Sequence, residues 1–141
     1  RVDRRQRQMC IRDRLNAAAY RLTCQINENA EAFANYSEVP EMNHNEIVAW
    51  FSESNGNRAL LIMSSEGIHE RTESRIGWIE ENLITKNVWR IECKGESLLE
   101  RLIYAAHISD WISIALALLR GVNPTSMEPI PQLKEYLSDI Q

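Results

Sequence analysis

The sequence predicts an α/β fold in which a parallel sheet is covered by helices on both faces. Short apolar runs bounded by turn residues alternate with longer stretches of helical periodicity, which is the pattern of such folds. The first run, at 59–63, is apolar at every position, as expected for a strand that is buried on both sides. The length of 141 residues is ordinary for one domain.

The first predicted element is a helix, because apolar residues recur near helical spacing from Leu15 to Ile26. Asparagines then become frequent, which favours a helix end and a loop. Within this loop, Asn43 is followed three residues later by Glu46, the pattern of a capping box. We therefore expect Asn43 to cap a short helix at 44–51.

The elements that follow are predicted as a strand at 59–63, a helix at 70–83, a strand at 88–93, a long helix at 97–119 and a short helix at 132–140. Ser97 with Glu100 predicts a capping box for the long helix, and Gly121 is placed as its C-terminal cap. Prolines between Pro124 and Pro131 predict an extended connection before the last helix. Two strands are few for an α/β sheet, so we expect the sheet to be truncated at its N-terminus.

The net charge of −4 conceals an asymmetry along the chain. Residues 1–14 contain six arginines and two aspartates, a net +4, so the remainder carries −8. An acidic body argues against binding of nucleic acid, although the basic leader could be an RNA-binding arm. The string QMCIRD within it resembles a translated sequencing adapter. We expect 1–14 to be a non-native or disordered leader and 15–141 to be the domain.

Several classes of protein and site are not supported by the sequence. No uninterrupted apolar run approaches the roughly 18 residues needed to span a membrane. Cys10, Cys24 and Cys93 have no CxxC spacing, no two histidines have metal-ligand spacing, and no glycine-rich nucleotide motif is present. We therefore expect a cytoplasmic protein that uses neither a metal nor an organic cofactor.

Two polar motifs stand out: each places an ionisable residue between asparagines, with Glu28 in NEN at 27–29 and His44 in NHNE at 43–46. A carboxylate and an imidazole are groups that proton transfer uses, and asparagine amides could orient them. Asn27 and Asn43 are then candidates for substrate binding. The alternative is that the asparagines serve only as caps and turn residues.

Ser113 and Arg120 form a third candidate group, about two turns apart on one face of the long predicted helix. A serine and an arginine so arranged could bind a sugar hydroxyl or a phosphate. They could equally be surface polar residues.

Segment 25–50, QINENAEAFANYSEVPEMNHNEIVAW, resembles the NEN…PE(L/M)NHNE region of the bifunctional phosphoglucose/phosphomannose isomerases. The similarity covers about 15–141. It implies the C-terminal sugar-isomerase (SIS) domain of that family, a flavodoxin-like three-layer α/β/α sandwich that lacks the N-terminal SIS domain. It also implies an aldose–ketose isomerase that interconverts glucose 6-phosphate or mannose 6-phosphate with fructose 6-phosphate through a cis-enediol, without a cofactor, as a homodimer.

The same resemblance suggests roles for individual residues. Glu28 matches the catalytic base, and His44 matches the histidine that assists ring opening in the neighbouring subunit's site. Ser113 matches a position linked to acceptance of the mannose epimer. Arg120 stands where the family has a basic residue, often lysine, and is the third candidate catalytic residue; an arginine there could hold substrate oxygens but would be a poor proton donor. Because the family's phosphate-binding loop lies in the other half, we expect this fragment alone to be inactive.

Two other functions fit the fold. A non-catalytic SIS module would bind sugar phosphates without converting them, and it would need neither Glu28 nor His44. The isomerase domain of a glucosamine-6-phosphate synthase has the fold but not the NEN…NHNE pattern.

Overall fold

The structure, a computed structural model, describes residues 15–53, 58–138 and 140, and the leader predicted at 1–14 lies outside them. Its elements are helix α1 (Asn16–Asn29), a 3-10 turn (Glu41–His44), helix α2 (Ile47–Trp50), strand β1 (Leu60–Ser65), helix α3 (Glu70–Asn82), strand β2 (Val88–Cys93), helix α4 (Leu98–Arg120) and helix α5 (Pro129–Ser138).

The two strands pair in parallel, with Leu60 opposite Val88 and Ser65 opposite Cys93. Successive side chains of a strand point to opposite faces, so each face packs against its own helices. On one face, Ile62 packs in a cluster with α3. On the other, Met63 packs with residues of α1 and α4. The described elements therefore form three layers, α/β/α, as the sequence predicted.

β1 extends two residues beyond its predicted end, because Ser64 is fully buried and has a partner inside the layer. Its Oγ accepts a hydrogen bond from Arg90 Nε at 2.8 Å. The two terminal nitrogens of Arg90 donate to the Glu73 carboxylate at 2.6 and 2.7 Å, which ties β2 to α3. Serine often favours loops, but Ser64 remains in the strand because its buried hydroxyl has a hydrogen-bond partner.

α1 and α4 pack along each other through a face of small side chains on α4. Ala105, Ser109, Ser113 and Ala117 are spaced by four residues, share one helix face and are fully buried. Ala105 belongs to the same cluster as Leu15 and Ala18. Small residues at such a contact let two helix axes approach closely.

Both ends of α4 follow the predicted signals. The Ser97–Glu100 capping box is present, and Gly121 closes the helix in the left-handed conformation at φ 70°. In the first turn, Arg101 donates from Nε to the Gly95 carbonyl at 2.8 Å and from Nη1 to the Glu66 carbonyl at 2.9 Å. It therefore joins α4 to the loops that leave the carboxyl ends of both strands.

The outer face of α4 is apolar and open to solvent. Leu99, Ile103, Trp111 and Leu118 are each at least 60% exposed. By length and composition alone, this helix could cross a membrane, a test that core helices of soluble proteins also pass. The prediction rested on an uninterrupted apolar run and therefore did not identify this helix, whose apolar residues are interrupted by single polar residues and by polar pairs.

Two predicted helix starts are wrong. Asn43 lies inside the 3-10 turn, and the next helix starts from Glu46 without a side-chain cap. The Glu46 carboxylate instead accepts hydrogen bonds from Ser37 and from Trp50. The last helix begins at Pro129 rather than at 132, since a proline fits the first turn of a helix, where its missing N–H has no intrahelical partner to lose.

Candidate active-site cleft

An open cleft of about 670 Å³ lies between the end of α1 and the start of α5. The α1 side contributes Cys24, Asn27 and Glu28, and the loop that follows α1 contributes Glu31 and Phe33. The segment from Ser126 to Ile130 forms the facing side. The volume is within the range of small-molecule sites, roughly 300–1,000 Å³. Two carboxylates thus border a mixed polar and apolar space.

Glu28 lies in the last turn of α1, and its side chain is exposed to the cleft. Within the described part of the chain, its carboxylate forms no hydrogen bond. Cys24 precedes it by one turn on the same wall of the cleft. The carboxylate is therefore accessible to a molecule that enters the cleft.

The loop that completes the cleft wall is held at two points. Asn27 forms a pair of hydrogen bonds with the backbone of Ala34, at 2.8 Å to its nitrogen and 3.0 Å to its oxygen. Arg120 donates to the carbonyls of Ala30 at 2.8 Å and Glu31 at 3.3 Å. Between these points, Glu31 has a left-handed backbone with φ 49°. Arg120 thus helps to set the shape of the cleft wall by holding the backbone of this loop.

Ser113 lies inside the α1–α4 contact and is fully buried. Its Oγ accepts a hydrogen bond from Asn29 Nδ2 at 3.0 Å and donates to the Asp110 carbonyl at 3.0 Å. The interpretation of Ser113 as a surface polar residue is therefore wrong. In this geometry its hydroxyl reaches the end of α1 only through Asn29.

Asn43 and His44 lie in the 3-10 turn, and neither is among the residues that line the Glu28 cleft. His44 is exposed and, among the residues described, has no hydrogen-bond partner. The Oδ1 atom of Asn43 is buried and also lacks a partner there. A second, smaller cleft of about 480 Å³ lies beside this turn and is bordered by Glu38, Glu41 and Glu46.

The structure thus brings together Asn27, Glu28 and the loop held by Arg120, and neither Asn43 nor His44 lines that cleft. Sequence reasoning missed the facing side of the cleft, from Ser126 to Ile130, because the prolines there were interpreted as an extended connection. Across 15–53, 58–138 and 140, no group of three or more His, Cys, Asp or Glu side chains could hold a metal ion.

Comparison with known proteins identifies relatives of this chain. The family model of the bacterial phospho-glucose isomerase C-terminal SIS domain matches residues 8–137. The bifunctional phosphoglucose/phosphomannose isomerase of Aquifex aeolicus is 37% identical over 116 residues, which is 80% of this chain and 36% of the relative. The protein of the same name from Thermoplasma acidophilum is 30% identical over 122 residues, 86% of this chain and 39% of the relative.

A more distant relative has a different name. The D-glucosamine-6-phosphate 4-epimerase of Sulfolobus acidocaldarius is 28% identical over 117 residues, 83% of this chain and 35% of the relative. The chain therefore spans between 35% and 39% of the length of these three relatives. The match of the family model over nearly the whole chain shows that this protein belongs to the family of bacterial phospho-glucose isomerase C-terminal SIS domains.

Proposed function

We propose that this chain is the C-terminal part of an aldose–ketose isomerase that interconverts glucose 6-phosphate or mannose 6-phosphate with fructose 6-phosphate. Two relatives are named for both activities. The observation that carries the proposal is the exposed Glu28 carboxylate on the wall of a cleft of sugar-phosphate size. Because the chain spans less than two fifths of those relatives, the activity is assigned to a longer protein, and the fragment alone is inactive.

Glu28 serves as the general base. Its carboxylate takes the proton from C2 of the open-chain aldose, which produces a cis-enediol as the C1 carbonyl oxygen gains a proton. The resulting carboxylic acid returns its proton to C1, while the O2 hydroxyl loses one, and the ketose forms. Glucose and mannose differ only at C2, so the same enediol accounts for both substrates.

His44 supplies the proton transfer that opens the sugar ring, from a second copy of the protein in a cytoplasmic homodimer. Its imidazole is exposed, and it lies apart from the Glu28 cleft of its own chain. Imidazole can donate and accept protons near neutral pH. Asn43, which precedes His44, binds the substrate beside it. Its buried Oδ1 has no hydrogen-bond partner among the described residues.

Arg120 and Asn27 shape the cleft wall by holding its loop backbone, and Asn27, which lines the cleft, also binds substrate oxygens. The guanidinium of Arg120 already holds two loop carbonyls, and arginine remains protonated in proteins, so we assign it no proton transfer. Ser113 influences acceptance of the two epimers through Asn29, its neighbour at the end of α1.

The test is a coupled assay of the longer protein, with Glu28→Gln compared with Glu31→Gln. Both carboxylates line the cleft, so the pair separates the base from general loss of negative charge. We expect Glu28→Gln to lower kcat by about 10²- to 10⁴-fold, the usual contribution of a general base. Glu31→Gln should have a much smaller effect. Turnover of fructose 6-phosphate that survives Glu28→Gln would refute the role of Glu28.

The epimerase relative supports a second candidate, inversion at C4 of an amino-sugar phosphate. Products distinguish the two: an isomerase incorporates solvent deuterium at C1 or C2 during turnover of fructose 6-phosphate. A 4-epimerase converts glucosamine 6-phosphate into its C4 epimer. Binding of sugar phosphates without either reaction would favour a non-catalytic module.

A further inference from the structure

A line of polar contacts, here called the polar seam, joins the second half of α1 to α4. Arg21, Gln25 and Asn29 are spaced by four residues and share one face of α1. The Asp110 carboxylate accepts hydrogen bonds from Arg21 Nη2 at 2.7 Å and Gln25 Nε2 at 2.5 Å. Asn29 reaches the Ser113 hydroxyl, which in turn donates to the Asp110 carbonyl. Three side chains therefore contact Asp110 directly, and Asn29 is connected to it through Ser113.

The remaining contact between these helices is formed on the α4 side by small side chains, which interlock little and so define the helix register weakly. On α4 its fully buried residues are small, such as Ala105, Ser109 and Ala117, whereas α1 contributes Ala18 together with the larger Leu22. Large side chains that interlock select one register, whereas small ones allow neighbouring registers of similar energy. Buried polar residues at single positions are a known means of specifying helix register. The polar seam supplies such residues here: the contacts of Gln25 and Asn29 are partly buried, and Arg21 meets Asp110 nearer the surface.

The register of α1 in turn determines where Glu28 lies. Glu28 immediately precedes Asn29, the last member of the seam on α1. A shift of one residue along a helix moves a side chain by about 1.5 Å and turns it by about 100°. We infer that Asp110 is a positioning residue for Glu28, because it fixes the register of α1 on α4 through Arg21 and Gln25. The catalytic part of this inference rests on the proposed function of Glu28.

The charge of Asp110 strengthens these contacts. The hydrogen bond from Gln25, then that from Arg21, lowers the pKa of the Asp110 carboxyl, and the nearby His107 acts in the same direction. Hydrogen bonds to an ionised acceptor are shorter and stronger than those between neutral groups. The acceptor at the centre of the seam is thus in its most effective form at neutral pH.

The register can be measured without activity, through the thiol of Cys24. Cys24 lies on α1 one turn before Glu28 and lines the cleft, whereas Cys93 is buried. In the full 141-residue chain with Cys10→Ser, we expect Asp110→Asn and Ser113→Ala each to change the rate of Cys24 labelling severalfold. Ser109→Ala is the matched control, since it removes a buried hydroxyl of α4 that bonds only within its own helix. Its labelling rate should equal that of the parent.

The same variants are then assayed in the longer protein. Displacement of the base by about 1 Å can lower a rate a hundredfold, so Asp110→Asn should reduce kcat by roughly ten- to a hundredfold with little change in KM. Ser109→Ala should retain the parent kcat. A purely structural role would instead lower the folded fraction and leave kcat per folded molecule unchanged.

The outcomes separate this inference from the function on which it rests. If the Cys24 labelling rate changes but the longer protein has no isomerase activity, the positioning of α1 is supported and the proposed function is refuted. An unchanged Cys24 rate in both seam variants overturns the inference, whatever happens to kcat. If Asp110→Asn does not fold, Gln25→Ala, which removes one of the two donors to the Asp110 carboxylate, is compared with Ser109→Ala in its place.

Discussion

Truncation of Ile79 to alanine tests the packing between α3 and the sheet. Ile79 is 1% exposed and lies in the cluster formed with Met42, Ile62, Ile76 and Leu83. The change removes three carbons, each worth about 0.8 kcal/mol when buried, and leaves a cavity that costs about 1 kcal/mol more. We expect the free energy of unfolding to fall by about 3–4 kcal/mol. Domains have only about 5–15 kcal/mol in total, so this is a large fraction.

The matched control is Ile103→Ala, because the same atoms are removed from another helix interior. Ile103 is 60% exposed, so the expected change is within about 0.5 kcal/mol. Any difference in helix propensity between isoleucine and alanine applies equally to both positions. The assay is urea unfolding followed by circular dichroism, with the slope checked for constancy. Equal shifts in the two unfolding midpoints would refute the assignment of Ile79 to the core.

Three further predictions concern single contacts. Ser97→Ala should lower the free energy of unfolding by about 1 kcal/mol, because its hydroxyl accepts the Glu100 N–H in the capping box; an unchanged urea midpoint would argue against that cap. Glu31→Gly should raise the free energy of unfolding by about 0.5 kcal/mol and so raise the thermal midpoint slightly, since glycine avoids most of the left-handed penalty but loses more chain entropy; a lower midpoint would contradict this. The hydrogen bond from Arg90 lowers the pKa of Glu73, so the stability gained from this pair is present above the ordinary pKa of the carboxyl and is lost as pH falls through the lowered one. Glu73→Gln should therefore destabilise the chain at neutral pH by less than about 1 kcal/mol, since the pair is partly exposed, and should match the parent in acid; urea midpoints that still differ in acid would exclude this explanation.

The elements that the sequence predicted best are those with local signals. α4 is placed within one residue at each end, because Ser97, Glu100 and Gly121 act within a single turn of the helix. β2 was predicted with its observed bounds. The end of β1 was not, because the partner of Ser64 is Arg90, 26 residues away in the chain. The capping role expected of Asn43 failed for a similar reason: Glu46 is engaged by Ser37 and Trp50 instead.

For the candidate site, the sequence identified residues but not their surroundings. Glu28 and Asn27 were found because they belong to a short contiguous motif, and both border the cleft. The facing side of the cleft comes from the region of Met127, about 100 residues later, and no local pattern connects it to Glu28. The burial of Ser113 depends on the packing of α1 against α4. Periodicity placed Ser113 on a face with Arg120 without showing what that face contacts.

The length of α4 gives the distance between two ends of the domain. Arg101 touches the loops at the carboxyl ends of both strands, and Arg120, nineteen residues later, touches the loop of the Glu28 cleft. At 1.5 Å per residue, these arginines are about 28 Å apart along the helix axis. Parallel sheets usually bind phosphate groups at the carboxyl ends of their strands. A hexose phosphate is much shorter than this separation, so a sugar at Glu28 must have its phosphate held by groups other than the ends of β1 and β2.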